Sequence, residues 1–294
     1  MSGVAGIYYL DGRPVEEEVD RMVDVMEHRG PDGINTWRSE AVGLGHCMLE
    51  TTPEDQHESL PLIDRGGALV ATADARIDNR DDIIKTLGLQ RPKGPPITDT
   101  ELILAAYKQW GEDCPQHLLG AFVFAIWDEK NERLFLGRDQ FGIKQLYFYH
   151  KNGRHFYFAS EIKSLLSLSD VPEKIDELTL GIHLANGRPD GERTIFQNIL
   201  RFPPGHALTA TPCKVRRRQY WSLSATDVPS DLTDEEYAER FRNIFEEAVR
   251  CRLRSTRSVG SELSWGLDSG IRSIRFQLCM IASMNVTNGH TFKR

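Results

Sequence analysis

Met1-Ser2-Gly3-Val4-Ala5-Gly6-Ile7-Tyr8 places an apolar, strand-like run at the very start of the chain, with a small hydroxyl residue in second position. A second residue as small as serine permits removal of the initiator methionine, which would leave Ser2 with a free α-amino group. That amine, with an ordinary pKa of about 7.7–8.0, can take the proton of its own residue's hydroxyl, so nucleophile and base arrive together. Most Met-Ser openings are only openings, and these eight residues alone do not choose between the two readings.

Outward from this strand, Pro14–Met26 sets Val15, Val19, Met22, Val23 and Met26 at helical spacing, with a proline near the first turn and Glu16-Glu17-Glu18 at the positive end of the dipole. His28-Arg29-Gly30-Pro31-Asp32-Gly33 then forms a turn-rich loop. Strand-like runs follow at 41–49 and 68–77, and Thr98 with Glu101 reads as a capping box for a helix that Gly111 should stop. From Ala121 the texture becomes short aromatic and β-branched runs, 122–127, 133–137, 146–150 and 155–159, which fit hairpins. Helices outside and antiparallel strands between predict layered α+β packing. The Ser, Asp and Pro residues of 223–232 suggest a linker, after which Thr233 and Glu236 cap a helix striped by Tyr237, Phe241, Ile244, Phe245, Ala248 and Val249.

Composition narrows the class. With 294 residues, 40% hydrophobic and 27% charged, the chain has material for one good core and a second unit. A formal charge of -7 opposes a nucleic-acid surface, and the one basic cluster, Lys214 with Arg216, Arg217 and Arg218, reads as a solvated face. Cys47, Cys114, Cys213, Cys251 and Cys279 are odd in number and widely spaced, with no metal-ligand spacing or disulfide rhythm. That pattern suits the reduced cytoplasm, and no run is long enough to span a bilayer.

The opening strand, the HRGPDG loop, Gly137-Arg138-Asp139-Gln140-Phe141-Gly142-Ile143-Lys144 and Ala159-Ser160-Glu161-Ile162-Lys163 fall in the order seen in class II glutamine amidotransferases. Val259-Gly260-Ser261-Glu262-Leu263-Ser264-Trp265-Gly266-Leu267-Asp268-Ser269 is similar to the ATP-pyrophosphatase loop of asparagine synthetases. Over roughly residues 1–270 the chain resembles the glutamine-hydrolysing asparagine synthetase family, including relatives that close lactam or macrolactam rings. The resemblance implies an αββα sandwich of the N-terminal nucleophile type over 1–222, a linker at 223–232, and the start of an α/β adenine-nucleotide hydrolase-like domain over 233–294. It also implies glutamine, aspartate and ATP with magnesium as substrates and cofactor, with a homodimer among the expected assemblies.

Residue by residue, the resemblance implies a degraded glutamine centre. The family nucleophile is an N-terminal cysteine where this chain has Ser2; the arginine that holds the glutamine carboxylate aligns with Met48; and the Asn-Gly pair of the oxyanion hole aligns with Asp74-Ala75. A charged hydrogen bond of the Arg–carboxylate kind contributes about 1.5–3 kcal/mol, and a thioether cannot make it. Loss of one oxyanion donor costs about 100- to 1000-fold in rate, and a carboxylate there should be worse. Asp99 is retained where the family contacts the substrate amine, although an acidic residue in a helix's first turn explains it equally well.

In the nucleotide loop Ser264, Gly266, Leu267, Asp268 and Ser269 follow the family pattern, while Trp265 puts an indole where phosphate should approach backbone N–H groups, and Gly270 replaces a serine. Residues 271–294 do not continue the resemblance, which leads us to expect a truncated synthetase domain that binds no ATP productively. The alternatives at this level are a glutamine-independent lactam-forming ligase fragment and a non-catalytic amidotransferase-like binding module.

Overall fold

The computed structural model describes residues 1–90, 94–187, 190–224, 232–260, 264, 266 and 269–271. In chain order the regular elements are β1 (Gly3–Tyr9), α1 (Glu18–Asp24), β2 (Gly33–Ser39), β3 (Val42–Met48), β4 (Leu62–Ile63), β5 (Leu69–Ile77), α2 (Arg80–Thr86), α3 (Asp99–Trp110), β6 (Gly120–Asp128), β7 (Arg133–Arg138), β8 (Tyr147–Lys151), β9 (His155–Ala159), α4 (Ile162–Leu166), α5 (Glu177–Leu184), β10 (Ile199–Arg201), β11 (His206–Thr211), β12 (Lys214–Gln219) and α6 (Asp234–Arg252). They form two compact units. One is built from Met1–Glu50 and Glu54–Leu223, the other from Thr51–Pro53 and the described residues after Leu223.

The first unit is a sandwich of two antiparallel six-stranded sheets, ordered β10-β8-β9-β1-β3-β2 and β12-β11-β7-β6-β5-β4. Strand alternation explains the layers. On β1, Val4 and Tyr8 face the second sheet and pack with Val70, Val123 and Leu136, whereas Ala5, Ile7 and Tyr9 face Val19, Met22 and Val23 of α1. On the far side, Ala71 and Ala73 of β5 and Phe122, Phe124 and Ile126 of β6 pack under Leu102, Ile103 and Ala106 of α3. The layer order is αββα, the sandwich expected. Both faces of β1 are covered, so all seven of its residues are buried. Gly6 is required there, since a Cβ would lie 2.3 Å from the Phe158 ring.

The helix expected over 14–26 is shorter, because the Val15 N–H bonds across to the Glu40 carbonyl at 2.8 Å and keeps the preceding stretch out of the helix. Val15 and Met26 are buried nonetheless. Both capping boxes form: Glu101 N donates to Thr98 Oγ1 at 3.2 Å and Thr98 N to Glu101 Oε2 at 2.8 Å, with the same exchange between Thr233 and Glu236. Gly111, at φ +57°, ends α3 as expected. The basic run on β12 is paired as well as solvated, Arg216 with Glu112, Arg217 with Glu192 and Arg218 with Asp113.

In the second unit α6 carries its apolar stripe in the open, with Phe241 67% and Ile244 72% exposed. Val259 and Gly260 are outside regular structure, with no ladder partner among the described residues to hold the strand expected there. The rest of that strand (261–263), most of the expected linker (225–231), and Trp265, Leu267 and Asp268 lie outside the described residues. No helix among the described residues is long and apolar enough to cross a membrane.

Candidate active site

The N-terminal end of β1 lies against the C-terminal end of β3, Gly3 opposite Cys47. That register buries Ser2 and sets its Oγ to accept the Leu49 N–H at 3.0 Å. The hydroxyl is thereby tied to the backbone. Arg29, from the HRGPDG loop, donates from Nη1 to the Ser2 carbonyl at 3.3 Å and from Nε to Glu161. His28 Nε2 lies 2.9 Å and Lys163 Nζ 3.3 Å from the same carboxylate. Two motifs far apart in sequence therefore meet at Ser2. Burial alone would raise the Glu161 carboxyl, but the Arg29 bond and charge, with His28 and Lys163, hold it below the ordinary glutamate value.

The GRDQFGIK loop delivers a lysine to the same region. Its frame is the fully buried Asp139 carboxylate, which accepts the N–H groups of Phe122, Phe141, Ile143 and Lys144 at 3.3, 3.1, 2.9 and 3.1 Å. Arg138 closes the turn by donating to the carbonyls of Lys144 at 2.6 Å, Gly142 at 2.7 Å and Phe202. Gly142 sits at φ +65°, where glycine is favoured, and a Cβ there would come within 2.9 Å of Arg138 Nη2 and require that side chain to shift.

So held, Lys144 Nζ donates to Asp74 Oδ1 at 2.5 Å, with side chains only 13% and 9% exposed. Burial pushes the Asp74 carboxyl up, and Lys144 opposes that push, with smaller contributions from the N-terminal amine and Arg29. The amine of Met1 is itself lowered, first by burial, against which Asp74 acts and to which Lys144 and Arg29 add. Ser2, Asp74, Lys144 and Arg29 thus share one electrostatic neighbourhood. Asp74, which the resemblance aligns with the oxyanion hole, is half of an ion pair.

The other candidates are dispersed. Met48 is buried at the end of β3, its carbonyl accepting the Asp32 N–H at 3.1 Å, and its thioether offers no charge. Ala75 is half-buried on β5 opposite Phe122. Asp99 is buried at the first turn of α3, with Oδ1 paired to Arg80 and Oδ2 accepting the Ile77 N–H at 3.2 Å. Ile77 is three residues from Asp74 along β5, about 10 Å, and the fold itself engages both Asp99 oxygens. Between the sheets, His46 Nδ1 lies 3.2 Å from Thr72 Oγ1, which donates to the Gly45 carbonyl. Burial lowers this imidazole to about 3, so it is neutral.

At the nucleotide loop, Ser269 Oγ accepts the Ser264 N–H at 3.1 Å and lies 2.9 Å from both Ser264 Oγ and the Gly266 carbonyl. The Ser264 N–H is thus engaged inside the loop.

The model of the glutamine amidotransferase domain family matches residues 1–221. The chain belongs to that family. Among curated relatives of this chain, an asparagine synthetase [glutamine-hydrolyzing] 3 from Bacillus subtilis is 34% identical over 274 residues, covering 92% of this chain and 44% of the relative. Amidase chry2 of Gibberella zeae is 32% identical over 265 residues, 88% of this chain and 38% of the relative. The chain thus spans less than half the length of either. Among solved structures, the glutamine phosphoribosylpyrophosphate amidotransferase of B. subtilis superposes with a TM-score of 0.52 at 15% identity, over 74% of this chain and 49% of that one, a likeness of fold.

Arg29, Glu161 and Lys144 were not singled out by the sequence reading, although the motifs that carry them were. For Arg29 and Lys144 the signal lay in charged residues beside glycines in loops, whereas Glu161 lies in a motif without glycine.

Proposed function

We propose that the chain is an asparagine-synthetase-type amidotransferase whose glutaminase centre keeps its frame and has lost, or nearly lost, glutamine hydrolysis. The observation that supports this most is the Lys144–Asp74 pair. Acyl transfer from glutamine develops charge on a carbonyl oxygen, which neutral amide donors stabilise without reorganisation. Asp74 presents carboxyl oxygens where neutral amide donors are needed, and Lys144 spends a charged bond on one of them. Ser2 adds to the deficit, because its hydroxyl is less ionised than a thiol near neutral pH and already accepts a backbone N–H. Met48 leaves a substrate carboxylate without a bidentate partner at that position.

In the same reading residues 1–222 are the amidotransferase-like domain, 223–232 the linker and 233–294 the start of a synthetase domain. The whole-protein chemistry of that lineage would be ATP-dependent amide formation through an activated carboxylate, with glutamine and aspartate as substrates. Ser2→Cys tests the reading. If Asp74–Lys144 and Met48 limit the reaction, the thiol alone leaves glutamate release from glutamine at background, and restored turnover in that single variant overturns it.

A further inference from the structure

At the β10 edge of the first sheet, on the side remote from Ser2, lies a cavity of about 400 Å³ whose lining includes Phe148, His150, Asp176, Arg193, Phe196 and Leu200. Phe148 and His150 stand at the levels of Gly6 and Tyr8 in the ladder, and β10 is three strands from β1, about 14 Å. The cavity is separate from the centre described above. Its wall is held in place: Thr194 Oγ1 donates to the Ile199 carbonyl at 2.7 Å, and Leu200 is paired directly with Phe148.

Its charges are underused. Asp176 Oδ1 accepts the Thr179 N–H at 3.1 Å, while Oδ2 has no partner among the described residues. Arg193 meets Asp190 through Nε at 3.2 Å, an ion pair with side chains 49% and 59% exposed that contributes little, and its two terminal nitrogens have no partner among the described residues. Burial holds His150 below its ordinary value, which leaves Arg193 as the cation and Asp176 as the anion of the lining. An anionic ligand alone would face Asp176, a cationic one alone Arg193, and an apolar one would leave both charges unmet. Three of its eight lining residues, Phe148, Phe196 and Leu200, are apolar and five are polar, and its volume is that of a small-molecule site.

We propose that this cavity is a second binding site of the domain and takes a free α-amino acid with an apolar side chain. Its carboxylate pairs with the Arg193 guanidinium, its ammonium with Asp176, and its side chain packs on Phe148, Phe196 and Leu200.

The test uses the full chain, 15N-labelled, titrated with L-leucine to about 10 mM, above the roughly millimolar affinity expected for so small a ligand. Saturable amide shifts at His150, Phe196 and Asn198, with Ser2, Leu49 and Asp74 unmoved, are the expected result. N-acetyl-L-leucine and L-leucinamide, each missing one charge, should bind about tenfold more weakly or worse. Arg193→Gln should match the loss with L-leucine, as should Asp176→Asn, which keeps a good helix cap. Absence of saturation overturns the proposal, as do blocked analogues that bind equally well or shifts confined to Ser2 and Leu49. The analogues act on the unmodified protein, so a variant that fails to fold does not blur the outcome.

Discussion

Replacing Lys144 with methionine keeps most of the stem's bulk and removes the ammonium, leaving Asp74 buried with its nearest counter-charge gone. Breaking a buried pair from one side costs about 3–5 kcal/mol, and the lower end applies here because Arg29 and the N-terminal amine still act on Asp74. At about 2–4 °C per kcal/mol for a domain of this size, the melting temperature should fall by about 6–12 °C at pH 7. The sign with pH follows from the raised Asp74 value. A carboxyl whose folded pKa lies above its unfolded one contributes most stability below the unfolded pKa, near 3.9, and loses it as pH rises through the folded value. Removing Lys144 raises the folded value further, so the deficit of Lys144→Met is largest at pH 7 and shrinks toward pH 4. Lys144→Met combined with Asp74→Asn should recover most of the loss. Urea unfolding of the three proteins at pH 7 and pH 4.5 measures this. A deficit that is independent of pH, or a double variant as unstable as the single, would refute the reasoning.

Glu161 has the opposite sign: its carboxyl is held down, so its contribution is present above the unfolded value near 4.3 and lost as pH falls through the folded one. Glu161→Gln should cost about 1–2 kcal/mol at pH 7 and nearly nothing in strong acid, as read by thermal melts across that range. Asp139→Asn presents one carbonyl oxygen and an amide donor to four backbone N–H groups, so it should cost about 3 kcal/mol or more and expose residues 140–144 to rapid hydrogen exchange. Ser2→Ala leaves the Leu49 N–H without its acceptor and should cost about 1 kcal/mol in urea unfolding, with no change in glutamate release.

The fold was largely legible because its signals are local. Continuous apolar runs such as Phe122–Trp127 and the Thr98–Glu101 box need only their own neighbours to be read, and both appear where expected. Strands β2, β4, β10, β11 and β12 and helices α2, α4 and α5 were not read; β4 and β10 are too short to carry a period, and β2, β11 and β12 gain their strand character from the ladders they join. At the site, the identities at 2, 48 and 74 were visible, whereas their partners were not. Lys144 reaches Asp74 across 70 residues of sequence, and Arg29 reaches Glu161 across 132. Neither pairing has a spacing rule. Asp99, which fitted a substrate contact and a first-turn helix residue equally well in sequence, is in the fold engaged by Arg80 and the Ile77 N–H.

Glutamate release from glutamine by the purified chain, run beside a cysteine-containing glutamine-hydrolysing asparagine synthetase under the same conditions, tests the central claim most directly. With the thiol, the carboxylate anchor and the amide donor all replaced, the account predicts a rate lower by at least about 1000-fold, indistinguishable from that of Ser2→Ala. A rate within about tenfold of the cysteine enzyme, abolished by Ser2→Ala, would contradict it and make Ser2 a working nucleophile beside the Lys144–Asp74 pair.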